Sequence, residues 1–187
     1  MKKLFSLIIL FCCSFNVVAN DADSASNPKL HSEALSTIDA LDVPRYMGKW
    51  YEIARYPNWF QKKCVGDSSA EYSMRTDGRV QVVNRCRLGN GDVKEAIGTA
   101  RQIGGSSSAK LKVSFVPPWL SFIPAVWGDY WVIDLDNQYQ LVAVSEPSRN
   151  YLWVLARTPT IEQKTYEAML DRLKSRGFDA DKLIRSK

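Results

Sequence analysis

The chain has 187 residues, with 25 basic and 20 acidic side chains, a formal net charge of +5 and a single histidine. The length suits one domain with its own core. So small a charge excess, with no RNA- or DNA-binding signature beside it, argues against a nucleic-acid partner. The lone histidine, His31, leaves no material for a Ser-His-Asp or Cys-His triad in a folded core.

Residues 1–19 read as a signal peptide. Lys2 and Lys3 form a basic start, Leu4 to Val18 is almost wholly apolar, and Val17-Val18-Ala19 presents small residues before Asn20. The run falls short of the roughly 20 residues of a membrane span. Cleavage after Ala19 leaves 23 basic and 20 acidic residues, a net charge of about +3. Cys12 and Cys13 keep a second reading open, a lipidated leader. Against it, Phe11 precedes Cys12 where bacterial lipoprotein leaders carry a small residue, and the apolar run continues past both cysteines. Residues 20–40 are rich in Ser, Asp, Asn and Ala at first and read as a flexible lead-in.

Ile38, Leu41, Val43 and Tyr46, with Pro44 among them, suggest a short turn or 3₁₀ segment. Strand patterns follow at Trp50 to Tyr56, Ala70 to Arg75, Val80 to Arg87, Val93 to Ile103, Leu111 to Phe115, Tyr130 to Leu135, Tyr139 to Val144 and Tyr151 to Arg157. Thr76-Asp77-Gly78-Arg79 is a hairpin signal between the second and third. Eight short strands with tight turns and no βαβ rhythm indicate an all-β domain. One helix is expected after Pro159, with Thr160 and Gln163 as a capping box and Gly177 as its end. Its apolar stripe is Tyr166, Met169, Leu170 and Leu173, and Leu183 with Ile184 suggests a short edge strand. Cys64 and Cys86, the cysteines left after cleavage, read as a disulfide in an exported chain; the alternative is two buried thiols.

Gly48-Lys49-Trp50-Tyr51 opens the first strand, Leu135-Asp136-Asn137 marks the turn after the sixth, and Arg157 ends the eighth. A tryptophan on the first strand and an arginine on the last meet only if the sheet closes. The guanidinium then lies on the indole and bonds nearby carbonyls. This combination resembles the lipocalin family over roughly Leu41 to Leu183. Trp50 to Arg55, Tyr151 to Pro159 and Gly177-Phe178-Asp179 resemble one branch of it, the bacterial outer-membrane lipocalins and apolipoprotein D. The resemblance implies an eight-stranded up-and-down antiparallel β-barrel over 41–187 with one C-terminal α-helix packed outside. It also implies a carrier of fatty acids or lysophospholipids, not an enzyme, without cofactor or metal. The expected setting is the periplasm, in association with the outer membrane, as a monomer or homodimer.

In such a barrel strand alternation assigns Tyr151, Trp153 and Leu155 to the face of Arg157, with Tyr72, Met74, Val113, Phe115 and Tyr130 also inward. These eight are the candidate ligand contacts, while Gly48, Trp50, Asp136 and Arg157 hold the fold. The loops 57–63 and 117–124 are unusually apolar and are expected side by side at the open mouth. Trp59, Phe60, Trp119, Leu120, Phe122 and Ile123, beside Lys62 and Lys63, suit a membrane interface, a lid or a dimer contact. Two other classes stay open. One is a barrel enzyme using buried carboxylates among Glu52, Glu71, Glu95, Asp129 and Asp134, of which Asp134 has an alternation that suggests an inward side chain. The other is an interaction module whose barrel is filled by its own side chains. A haem carrier would need tyrosine ligation, since no histidine is placed to bind iron.

Overall fold

The computed structural model describes residues 33–186. The signal segment, the Cys12 and Cys13 alternative and His31 lie outside the described residues. A single helical turn, α1 (Val43–Tyr46), precedes nine strands and one long helix: β1 (Gly48–Arg55), β2 (Cys64–Met74), β3 (Val80–Leu88), β4 (Val93–Gln102), β5 (Lys110–Ser114), β6 (Gly128–Leu135), β7 (Leu141–Ser145), β8 (Leu152–Ala156), α2 (Gln163–Ser175) and β9 (Ile184–Arg185). Each of β2 to β7 pairs antiparallel with the next, β8 pairs β1, and β1 pairs β2. The sheet is therefore a closed up-and-down barrel of eight strands, the fold expected from the sequence. β9 adds two residues to the free upper side of β1, opposite Ala54 and Arg55.

Period-2 alternation gives the wall two apolar faces. Trp50, Tyr72, Val82, Leu111, Val132, Val142, Val144 and Leu155 point into the barrel. Ile53, Ile133, Leu141, Ala143, Leu152 and Val154 point out, under the stripe Tyr166, Met169 and Leu173 of α2. Met169 and Leu173 are 0% exposed, and burial of each stabilises the docked helix by about 1.5–3 kcal/mol. Arg172 reinforces the contact by donating twice to Asp134 of β6, at 2.8 and 3.1 Å.

The structure corrects several boundaries. The helix begins at Gln163 after Glu162, with no side-chain cap; the Thr160–Gln163 capping box does not form. Thr158 Oγ1 instead donates to the Thr160 carbonyl, and the intervening Ile161 packs on the outer core. β2 starts at Cys64, six residues early, because irregular register between Cys64 and Ser69 hides its alternation. Tyr139 is not in a strand: it sits in the β6–β7 turn with φ 60°. The end of the lead-in is docked rather than loose. Leu35 is buried in the outer core, and Ile38 N–H donates to Val132 O at 3.1 Å. A bulge between Val132 and Asp134 turns Asp134 outward to Arg172, so its expected inward aim fails.

Candidate ligand-binding lumen

The closed end is built from the Gly-x-Trp segment and Arg157. The Arg157 guanidinium carbon lies 3.9 Å from the centre of the Trp50 ring. Its nitrogens donate to Tyr139 O at 3.2 Å, Lys49 O at 3.0 Å and Arg45 O at 2.9 Å. Trp50 Nε1 donates to Tyr46 O at 2.9 Å, which ties α1 across the barrel base. Gly48 has φ +94°, and a Cβ there would sit 3.2 Å from Arg157 Nη1. Glycine at this position thus allows both the turn and the approach of the arginine. Asp136 accepts from the backbone N–H groups of Gln138, Gln140 and Leu141. That turn delivers the Tyr139 carbonyl to Arg157 and the Tyr139 ring to Arg45, 4.0 Å away. Four residues scattered over the sequence form one plug.

Above the plug lie three hydroxyls. Tyr130 Oη is 2.7 Å from Tyr46 Oη and 3.0 Å from Tyr72 Oη. Burial holds all three phenols above the ordinary tyrosine value, Tyr72 up to about 12. Repulsion among the three adds to the effect for Tyr46 and Tyr130. They are neutral at physiological pH. Burial also lowers the Arg157 pKa from its ordinary value.

Most of the sequence-predicted contacts come together. Leu155 and Tyr72 are buried in the inner cluster, and Val113, Tyr130 and Trp153 pack against it while keeping partial accessibility. Their faces follow from register, since Val113 stands opposite Ala100, Tyr130 opposite Leu111 and Trp153 opposite Val144, all inner residues. Tyr151 stacks on Trp153 at 5.9 Å and 8°, and Phe60 meets both rings. Phe115 is 43% exposed and lies over Gly98, where a Cβ would come within 2.7 Å of both its ring and Ser114 O. Met74 is not brought to the others: it ends β2, is exposed and belongs to neither apolar cluster.

Two features escaped the sequence. Gln61 accepts from Trp153 Nε1 at 2.9 Å and donates to Glu52 at 2.7 Å. Glu52, buried, also takes Arg55 and the Ser186 hydroxyl. This network fastens the β1–β2 loop to the wall, and its carboxylate is fully engaged. The Tyr46 hydroxyl was missed as well, because only barrel closure carries it to Tyr130. Cys64 and Cys86 form the expected disulfide, with Cα atoms 5.6 Å apart.

The rim differs from expectation. Strand order sets the mouth loops in the ring β1–β2, β3–β4, β5–β6, β7–β8, so loops 57–63 and 117–124 face each other across the mouth instead of adjoining. The β5–β6 loop also leans outward. Val116, Pro118, Ser121 and Trp127 share a small cleft with Arg75, Arg79, Thr99 and Ser114 on the outer wall. Trp127 Nε1 donates to Ser121 O, and Arg101 covers its ring. Trp119 and Phe122 remain 71% and 78% exposed, Trp59 79%, and Leu120 and Ile123 are half-buried.

Residues 41–187 match the family model for the lipocalin-like domain. The chain belongs to the lipocalin family. Temperature-induced lipocalin-1 of Arabidopsis thaliana is 42% identical over 151 residues, 80% of each chain. The outer membrane lipoprotein Blc of Escherichia coli K12 is 35% identical over 183 residues, 97% of this chain and 96% of that protein. Insecticyanin from the tobacco hornworm Manduca sexta has the same fold, with a TM-score of 0.64 at 18% identity over 84% of this chain and 86% of its own. Lipocalins bind small hydrophobic ligands, and apolipoprotein D is also a relative, the mouse protein at 30% identity. Among the described residues no helix of this lipocalin is long and apolar enough to cross a membrane.

Proposed function

We propose that this lipocalin is exported to the cell envelope, where it binds an acyl lipid in the barrel lumen and stores or transports it. The cargo is a fatty acid or a lysophospholipid. One observation carries the reading: the barrel is plugged at one end by Trp50 and Arg157, while its upper inner wall bears partly accessible apolar and aromatic side chains. An acyl chain laid along Val113, Phe115, Tyr130, Trp153 and Leu155 gains about 0.8 kcal/mol per buried methylene. The two cysteines of the disulfide, the basic and apolar residues 1–19 and the likeness to outer membrane lipoproteins support export.

Native followed by denaturing mass spectrometry of protein isolated from the envelope tests this. The expected result is a complex that loses a fatty-acid or lysophospholipid mass on denaturation, from a chain cleaved after Ala19. Protein that is empty as isolated, and stays empty with added acyl chains, overturns the carrier function.

The exposed Trp119 and Phe122 favour a second element of the same function, docking of the β5–β6 loop on a membrane surface. Replacing Trp119→Ser and Phe122→Ser is expected to weaken vesicle binding with thermal stability unchanged. Equal vesicle binding by the double variant and the parent removes the docking role.

A further inference from the structure

Three elements deliver hydroxyls to the lumen floor: α1 brings Tyr46, β2 brings Tyr72 and β6 brings Tyr130. Tyr130 contacts each of the other two, and these are the two hydrogen bonds the hydroxyls make among the described residues. Three hydroxyls carry three protons, and two O–H···O bonds use two of them. If Tyr46 and Tyr72 both donate to Tyr130, the unused proton is on Tyr130. If the bonds run in one direction, it is on the terminal hydroxyl. In every arrangement one donor lacks an acceptor. Tyr46 and Tyr72 are only 2% and 6% exposed, so bulk water does little for it. Tyr130, in the centre, packs against the inner cluster and is only partly buried as a residue.

The charge of the neighbourhood narrows what that ligand atom is. Arg157 is the cation beside the floor, and each of its nitrogens already donates to a carbonyl, of Tyr139, Lys49 or Arg45. An ionised carboxylate set among the tyrosines would lose its hydration for one spare hydroxyl donor and a guanidinium already bonded to three carbonyls. A neutral oxygen needs only that one donor. A wholly apolar end leaves the donor unpartnered, and leaving a buried donor unmade is unfavourable.

Resting on the carrier function above, we propose that the Tyr46–Tyr72–Tyr130 floor is a polar subsite for a neutral carbonyl oxygen on the buried part of an otherwise apolar ligand. The charged end of such a ligand then stays at the mouth. The subsite makes the lumen selective for oxygenated chains at one depth, because only an oxygen at the level of the hydroxyls meets the donor.

The test is displacement of N-phenyl-1-naphthylamine by octadecanoic acid and by oxo-octadecanoic acids with the ketone at successive chain positions. The expected result is a single favoured position that binds at least about threefold more tightly than octadecanoic acid, the size of one added hydrogen bond. In the triple variant Tyr46→Phe, Tyr72→Phe, Tyr130→Phe, which leaves the floor without a hydroxyl, the ratio of affinities for the favoured oxo acid and octadecanoic acid should fall at least about threefold, whatever the absolute affinities. A flat dependence on ketone position in the parent protein overturns the proposal and leaves the carrier function standing. An optimum that survives the loss of all three hydroxyls overturns the assignment to the tyrosines. Failure of the probe and of every acid to bind overturns the carrier function itself. The position scan needs only the parent protein, so it holds even where the variant fails to fold.

Discussion

One barrel wall carries two apolar cores of different character. The outer core, between the wall and α2, is mostly aliphatic and fully closed: Ile133, Leu152, Val154, Met169 and Leu173 are at or near zero exposure. Its polar seal, Asp134 with Arg172, lies at the edge. The inner core is closed only at its base, where Trp50, Tyr46 and Tyr72 are buried. Higher up it holds Val113, Tyr130 and Trp153 in partial contact, and Phe115 at 43% exposure. The difference is between packing that is complete around every side chain and packing that leaves several side chains partly accessible. A protein of marginal stability can leave the second incomplete because the first is complete.

Substitutions should separate the two cores by size of effect. The largest loss is expected from Leu173→Ala, which opens a cavity in the outer core and should cost about 2–5 kcal/mol in chemical denaturation. The folded fraction should keep its affinity for acyl ligands. If that affinity falls as well, the two cores are not independent.

Next comes Arg157→Ala. It removes the stacking on Trp50 and three hydrogen bonds to carbonyls, an expected loss of about 2 kcal/mol. Arg157→Lys should recover less than half of it, since an ammonium lacks the planar fork. Equal stability of the lysine variant and the parent would show that charge alone holds the plug.

Alkaline pH probes the floor of the inner core. Below pH 10 the phenols are protonated whether the chain is folded or not, and stability does not depend on them. Above the ordinary tyrosine value the unfolded chain loses phenolic protons that the folded chain keeps, Tyr72 up to about 12. Stability therefore falls as pH rises from 10 to 12, by about 1.4 kcal/mol per pH unit for each such tyrosine. Urea midpoints measured across this range should fall less steeply for Tyr72→Phe. Parallel slopes for the two proteins would place the Tyr72 phenol in contact with water.

The smallest effect on stability is expected from Phe115→Ala, below about 1 kcal/mol for so exposed a ring. Its effect on ligand affinity should be the larger one. A stability loss comparable with that of Leu173→Ala would mean that the mouth is packed as tightly as the outer core.

Individual residues show why some of this was legible in the chain and some was not. Trp50 and Arg157 announced the closure because the arginine has one place to go when the first and last strands meet. The α2 stripe was legible because its period is local. The capping box was also a local signal, and it failed: Thr158 bonds the Thr160 carbonyl, Ile161 packs on the outer core, and the helix starts only at Gln163. Asp134 failed for another reason. Counting by two assigns faces only along an unbroken strand, and a single bulge after Val132 reverses every later assignment. Loop adjacency at the mouth failed against the up-and-down order itself: four loops share the mouth, and the β1–β2 and β5–β6 loops stand two places apart in that ring.

The amino-acid sequence by itself determined the number and kind of elements, the family and the plug, since these rest on short-range alternation and on residue types with few other uses. Tertiary structure decided which hydroxyls share the floor, which carboxylates are spent on structural pairs and which way each loop leans. Those outcomes depend on contacts such as Tyr46 with Tyr130, 84 residues apart, that exist only once the barrel has closed.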